Sequence, residues 1–487
     1  MTLTSALRIA TNSLSNTSRQ VSTISQNISG VGNPDYVRRE AQLSPGANGF
    51  QTVQVVRRVD QSLVEALGIA SSKQSQQKVV VDYFSRLSAM MGGDDLQYSP
   101  SALLGALKDG VDLAAASPAD PSALSALVER ARDLATYLNS SYSQVLTLRR
   151  EADQAVDGSV AKVNELLAQI KTVNDEIVQG SRTGATIFDA LDKRDMLVAQ
   201  LSEEIGISVR VRADNDIAIY TNSGLTLFDK VPRAVEFAPT TSYGPATAGN
   251  AVYVDGVPAT GADAGLAISG GRLAGYIEAR DSVLPQQQAR LDELARGLIE
   301  VFAETDQTGG GKPPLAGLFT WSGGPALPAS GTLEPGIALS IAVNAAVDLF
   351  QGGDPTLLRD GGISGDPDYV ENTAGSASYT DRLLAFSDLM SQSRPFDAAA
   401  ALTTDGGLDS FADMFVGAFE QARQDASDRL DYRTELKARL SDSLRLETGP
   451  NLDYEMSQLL EVERAYQASA KLIAAVDELI ATLLAAV

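Results

Sequence analysis

Few residues in this chain have the types and spacing that chemistry requires. Gly309-Gly310-Gly311-Lys312 has the makings of a phosphate loop, in which glycine N–H groups cradle oxygens and a lysine meets the charge. The earlier glycine of such a loop is missing, Pro313 stands where Ser or Thr should follow, and no strand pattern leads in. Carboxylates cluster at Asp94-Asp95, at Asp214 and Asp216, and at Asp366 and Asp368. None has calcium-loop spacing. Each lies beside turn residues, where Asp is favoured because its side chain bonds the local backbone. No pair is singled out for acid–base work, although such pairs meet only in the fold. The chain has no histidine and no cysteine. That removes Ser-His-Asp and Cys-His catalysis, disulfides, and zinc sites built on Cys or His. The expectation is no catalytic, cofactor-binding or metal-binding residue, and no enzyme.

The elements themselves carry more information. At 487 residues and 44% hydrophobic content the chain can build two or more cored domains. A formal charge of -23 argues against a nucleic-acid partner, which needs a basic face. It also makes free copies repel one another. Arg8 and Arg19 lie far apart, and polar residues interrupt every apolar stretch before residue 30, so no cleaved secretion signal is visible. The most apolar piece, 472–487, is too short to span a bilayer and contains Asp477 and Glu478. If the protein leaves the cell, the expected route needs no cleaved signal.

Both ends carry heptads. Leu7, Leu14, Val21 and Ile28 fall seven apart, with Leu3, Ala10, Thr17 and Ile24 in the alternate seam. Leu452, Leu459, Tyr466, Ile473, Ile480 and Val487 do the same, with Met456, Ala470 and Leu484 in a second seam interrupted by Glu463 and Asp477. A strict seven-residue repeat keeps one stripe facing a partner helix. The two ends are therefore expected to pair. Acids at seam positions can specify register. Alternatively the helix packs at the 3.6 period, Leu472, Val476, Leu479 and Leu483 form a second stripe, and both acids sit at its rim. The N-terminal segment is rich in Ser, Thr and Asn, which favour competing turns, so its helix is marginal alone.

Between the ends, alternation at Val53 and Val55 reads as a strand, and helical patterns run from about 61 to 91, stopped by Gly92-Gly93. Asp120-Pro121 opens a helical stretch whose stripe runs through Leu124, Leu127, Ala131, Leu134, Leu138, Val145 and Leu148, then Val163, Leu167, Ile170, Val173 and Ile177. Unbroken, it would be ~90 Å long at ~1.5 Å per residue. The alternative is two antiparallel helices folded near Asp157-Gly158. Residues 206–268 alternate, with a hairpin signal at Asp255-Gly256. Helix returns from 272 to 305 with a break expected at Pro285, and 307–380, rich in Gly and Pro, reads as loop-rich and exposed.

Particular residues then point to a family. Asn27-Ile28-Ser29-Gly30 followed by Asp35-Tyr36-Val37-Arg38 resembles the N-terminal signature of bacterial flagellar axial proteins, with Gly30 where Asn is usual and Asp35 where Gly is usual. Asn451-Leu452-Asp453-Tyr454-Glu455 and 465–473 resemble the matching C-terminal signature, with Glu463 where Gln is common. Within that group, 191–201 with 207–209, 217–220 with 224–227, and 270–275 are similar to interior segments of the first hook-associated proteins. The resemblance covers most of the chain and is weakest over 307–380.

It implies a structural subunit, exported unfolded by the flagellar type III apparatus, that forms the junction between hook and filament. It implies terminal segments disordered in the monomer, a homo-oligomeric ring, hook protein and distal hook-associated or filament proteins as neighbours, and an export chaperone on the C-terminal helix. The expected location is the extracellular flagellum. The expected fold is mainly α with a small β subdomain: a long-helix bundle with terminal coiled-coil helices. Residues 1–55 and 447–487 would form the terminal coiled-coil domain lining the channel, and 56–205 with 269–446 the helical rod. Residues 206–268 would be an inserted β subdomain and 307–380 a reduced outer domain. Leu7, Leu14, Val21, Ile28, Tyr36, Leu452, Leu459, Tyr466, Ala470, Ile473 and Ile480 are the expected assembly interface. The alternatives are another axial protein of hook or rod, a secreted coiled-coil translocator or adhesin, and an acidic hydrolase.

Overall fold

The computed structural model describes residues 3–33, 35–45, 51–91 and 98–485. Pro34, Gly92-Gly93, Asp94-Asp95 and Val487, and the side chains of Leu3, Leu483 and Leu484, lie outside the described residues. The fold is mainly α with small sheets. Its elements run α1 (Leu3–Gly30), β1 (Arg39–Pro45), β2 (Gln51–Arg57), α2 (Gln61–Met90), α3 (Pro100–Ala116), α4 (Pro121–Thr183), α5 (Phe188–Glu204), β3 (Ile207–Val211), β4 (Ile217–Thr221), β5 (Thr226–Asp229) and β6 (Val231–Pro232). They continue with β7 (Val235–Glu236), β8 (Tyr253–Val254), β9 (Val257–Pro258), α6 (Gly271–Glu278), α7 (Leu284–Val301), β10 (Phe319–Thr320), α8 (Ile337–Ser340), β11 (Ala342–Val343), α9 (Leu357–Asp360), α10 (Asp381–Ser391), β12 (Arg394–Pro395), β13 (Asp405–Gly406), α11 (Leu408–Thr448) and α12 (Leu452–Ala485).

The chain divides into two compact units: Met1–Lys73, Val163–Ala234 and Arg433–Val487 in the first, Gln74–Lys162 and Val235–Tyr432 in the second. Helix α4 is one element of 63 residues, roughly 95 Å at ~1.5 Å per residue. It does not fold back at Asp157-Gly158. Nothing lies within 4 Å of a Cβ built on Gly158, so this glycine costs the helix only its propensity, about 1 kcal/mol relative to Ala.

In the first unit, β3 to β6 form an antiparallel sheet in sequence order. Ile207 faces Thr221 and Val209 faces Ile219. Strands β7 to β9 belong to the second unit, where Asp255 and Gly256, both at positive φ, turn β8 into β9. The strands read from the sequence as one insertion thus fall in different units.

The second unit is built on α7, buried on nearly all sides. The stripe Leu124, Leu127, Ala131, Leu134 and Leu138 of α4 and the rings of Phe411, Phe415 and Phe419 of α11 belong to the same core. A helix buried all round should be apolar, yet α7 carries Gln287, Arg290, Asp292, Glu293 and Arg296. Most of these groups have partners, as buried charge demands. Arg296 pairs with Glu293 at 2.7 Å and Glu300 at 2.6 Å, and Asp292 accepts N–H bonds from Gly336 and Ala338, each at 3.0 Å.

Two expectations are corrected in this unit. The helix irregularity near Pro285 is a π turn at Ala279–Val283, and Pro285 itself sits in the first turn of α7, where its missing N–H costs nothing. The turn seats Arg280, which donates to Asp153 at 2.7 Å and to the Asn250 carbonyl at 2.9 Å. Residues 307–380 are loop-rich but not exposed as a whole. Leu318, Phe319, Ile337, Ile341, Val347 and Leu358 are buried. The Glu304 carboxylate anchors this segment, accepting from the N–H groups of Ile363 and Ser364 at 2.9 Å each. Gly309–Lys312 wraps a carboxylate, not a phosphate: Asp306 accepts from Thr308 and Lys312 backbone N–H groups at 2.8 and 3.1 Å. The Lys312 ammonium is held by Asp366 at 2.6 Å and Asp368 at 2.5 Å.

Burial pushes the Asp292 carboxyl up to about 7, although the Gly336 and Ala338 N–H groups pull it down. Between pH ~4, the ordinary carboxylate value, and the folded value of about 7, the folded chain keeps a proton that the unfolded chain has lost. Stability therefore falls as pH rises through that window, by up to about 1.4 kcal/mol per unit. Asp292→Asn does not titrate. Urea unfolding at several pH values is expected to give a stability difference, wild type minus variant, that shrinks as pH rises through the window.

Candidate assembly interface

Helix α1 solves its composition problem locally. Hydroxyls that would compete for the backbone fold back on it: Thr11 donates to the Leu7 carbonyl, Thr17 to Ser13 and Thr23 to Arg19, each at 3.0 Å. The helix then packs along α12, as the matching heptads predict. The pair is antiparallel, since Ser13 meets Ser469 (Oγ to Oγ 2.9 Å) while Arg38, beyond the end of α1, reaches Glu455 at 2.7 Å.

On α1 the deepest lane is the expected alternate seam, and on α12 it is neither of the two expected ones. On α1 the buried positions are Ala10, Asn16, Thr17, Thr23, Ile24, Asn27 and Gly30, whereas Leu7, Leu14, Val21 and Ile28 are half-buried. On α12 the buried set is Glu455, Val462, Ser469 and Val476, itself a strict heptad. Leu459, Ile473 and Ile480 are half-buried, and Leu452, Tyr466 and Ala470 are exposed. Ala10, Thr17 and Ser469 share the seam with Ile24, Val462 and Val476, and Leu and Ile residues form the neighbouring lane, about 40° round each helix at 3.6 residues per turn. In an antiparallel pair meeting through equivalent lanes, these neighbouring lanes fall on the same flank. Glu463 and Asp477 are exposed and so sit at the rim.

The other side of α1 is braced by the β1–β2 hairpin, in which Leu43 faces Val53. Asn12 and Asn16 both donate to the Gln51 carbonyl, at 2.9 and 2.8 Å. The N-terminal signature is the hinge of this brace. The Asn27 amide donates to the Arg39 carbonyl at 2.8 Å and accepts from the Arg39 N–H at 3.0 Å and the Tyr36 hydroxyl at 2.9 Å. A Cβ on Gly30 would sit 2.5 Å from the Tyr36 ring, so glycine fits here. Tyr36 is thus a local brace, half-buried within the protomer.

The interior segment resembling hook-associated proteins supplies the counter-charges. Asp192 of α5 pairs with Arg57 at 2.6 Å and Arg39 at 3.3 Å, Asp189 with Arg39 at 2.5 Å and Asp195 with Arg57 at 2.7 Å. Arg194, buried between these acids in sequence, turns inward to Asn174 at 3.1 Å and the Asn215 carbonyl. Burial pushes the Asp192 carboxyl above its usual range, although Arg57 and Arg39 pull it down. The sequence reading missed Asn27, Arg39, Arg57 and Asp192 as positioning residues. Their signal was present, since Arg39 and Arg57 sit on alternating strands and Asp192 in the segment already singled out.

Asp192→Ala would leave two nearly buried guanidiniums short of a shared partner. The expected loss of stability in urea unfolding is about 3 kcal/mol. Arg57→Leu added to Asp192→Ala should recover part of it, and full additivity of the two losses would contradict a shared pair.

Among the described residues no helix is long and apolar enough to cross a membrane. Residues 84–313 match the family model for the flagellar hook-associated protein FlgK helical domain, and 451–486 match that for the flagellar basal body rod FlgEFG protein C-terminal region. The chain is 24% identical over 312 residues to flagellar hook-associated protein 1 of Salmonella typhimurium, covering 62% of this chain and 56% of that protein. The Escherichia coli protein of that name is 24% identical over 315 residues, covering 63% and 56%. That of Bacillus subtilis is 22% identical over 386 residues, covering 74% and 71%. The chain thus spans little more than half the length of the first relatives it matches. The solved hook junction protein FlgK from Burkholderia pseudomallei aligns with a TM-score of 0.42 at 23% identity, over 53% of this chain and 47% of that one.

Proposed function

We infer from the chain's place in the FlgK family of flagellar hook-associated proteins that it is a structural subunit of the bacterial flagellum. Its proposed position is the junction between hook and filament, and its proposed role is packing without catalysis. The relatives' printed names support a hook-associated role. The match over 84–313 favours this reading over hook or rod proteins, because the matched C-terminal region is shared with rod proteins and does not discriminate.

The observation that carries the reading is the uncovered apolar flank of the terminal helix pair. Tyr466, in the half-buried lane of Leu459, Ile473 and Ile480, is 44% exposed, and Leu460, Leu472 and Leu479, on other faces of α12, are 55–56% exposed. Large apolar side chains exposed in this number on one helix mark contact sites. The seam that holds the two helices together within one chain mixes Ala10, Thr17 and Ser469 with the modest apolar side chains of Ile24, Val462 and Val476. It contributes little against the roughly 1–2 kcal/mol per residue that ordering a backbone costs. Burial of the flank between copies supplies the rest. Terminal segments that are loose before assembly fit this account. So do export without a cleaved signal, a ring of copies, contacts with hook and distal proteins, and a chaperone that covers the C-terminal lane before export. The proposed terminal domain is 1–55 with 447–487.

Tyr466→Asp places a charge on the flank at an exposed position. It is expected to change monomer stability by less than about 0.5 kcal/mol while lowering incorporation into flagella at least tenfold, read by immunoblot of sheared filaments with attached hooks. Normal incorporation would contradict the reading. A chain lacking 1–30 or 452–487 should stay soluble and helical by circular dichroism and fail to incorporate.

A further inference from the structure

The two terminal helices carry charge of opposite sign. The charged side chains of α1 are Arg8 and Arg19 alone. Helix α12 carries six acidic and two basic residues. Where Ser13 meets Ser469 the contact is uncharged, and buried Glu455 pairs with Arg38 beyond the end of α1. Arg19, Glu463 and Asp477 are all exposed, and none of the three makes an ion pair among the described residues. Glu463 and Asp477 each follow a lane residue, Leu459 or Ile473, by four positions. They therefore border the uncovered apolar lane of α12, about 40° beyond it.

We propose that the exposed face of α1 in one copy docks on this acid-bordered lane of α12 in the next copy, bringing Arg19 opposite Glu463 or Asp477. The proposal rests on the assembly reading above and specifies which surface meets which. A contact of α12 with α12 would set acidic helices against each other, and a contact of α1 with α1 would set arginine against arginine. Only the mixed pairing is attractive on both sides. It joins two different surfaces, so it repeats head to tail and can run round a ring or along a helical lattice, which a self-complementary contact cannot. Exposed ion pairs add little affinity each. Their effect here is on register and partner choice, with the apolar lane supplying most of the burial.

The absence of cysteine makes the full chain a clean background for cross-linking. Arg19→Cys and Glu463→Cys chains would be co-expressed in motile cells deprived of their own copy, and isolated flagella mildly oxidised. A disulfide-linked dimer that forms only when both variants are present is the expected result. In the companion experiment Arg19→Glu lowers incorporation about tenfold with an unchanged circular dichroism spectrum. Adding Glu463→Lys and Asp477→Lys to that same chain restores it to within twofold. Incorporation of both cysteine variants without a mixed dimer would overturn the pairing. So would Arg19→Glu at wild-type level while Tyr466→Asp is excluded, and in that case assembly through the flank would still stand. Failure of the unaltered chain to enter flagella would remove the assembly reading and the pairing with it.

Discussion

The close antiparallel approach of α1 and α12 constrains the rest of the first unit. The helices approach closely where Ser13 meets Ser469, with Ala10 and Thr17 buried alongside. The large apolar residues are displaced to the flank, and the seam alone contributes little of the burial that folds most proteins. The helix pair must then be held from elsewhere. The hairpin does this on one side through asparagine amides, and Arg38 reaches across to buried Glu455 on the other. The hairpin is in turn fixed by Asp192 and its neighbours on α5. The helix pair and its hairpin are held to a large extent by polar contacts of defined geometry, while the apolar core of the unit, with Ile170, Leu201, Ile219 and Phe228, is built by α4, α5 and the β3–β6 sheet.

The second unit solves a different problem. Its central helix α7 is surrounded, and the polar groups on it are matched to loops that come from far along the sequence: Gly336, Ala338, Pro395 and Asp397 all meet α7 carboxylates or guanidiniums. This explains why a stretch rich in glycine and proline is packed and not splayed into solvent. Glycines allow its backbone N–H groups to approach a buried carboxylate. At Gly353 a Cβ would lie 2.3 Å from a carbonyl oxygen.

Helices and their boundaries were readable because their signals are local. Pro121 in the first turn of α4, the apolar stripe through Ile177, and the Asp255-Gly256 turn all specify conformation over a few residues. The heptads predicted that the ends would pair, and they do. On α12 the buried lane was missed because hydrophobicity ranks Leu459 and Ile473 above Glu455 and Ser469, which the fold buries. Burial of 307–380 was hidden because composition cannot report which long-range carboxylate will collect a loop's N–H groups. In the Arg39, Arg57 and Asp192 cluster the residue types were readable but the pairing was not, because Asp192 lies more than a hundred residues from both arginines and meets them only in three dimensions.

The central claim is that the terminal helix pair is weakly held by its own seam and gains its stability from neighbours. Hydrogen exchange read by fragment, on the isolated chain and on the same chain in intact flagella, tests it directly. The account predicts that amides of 5–30 and 452–482 exchange far faster than those of α7 in the isolated chain, and slow to a comparable rate in the flagellum. Protection at both ends equal to that of α7 in the isolated chain would contradict it.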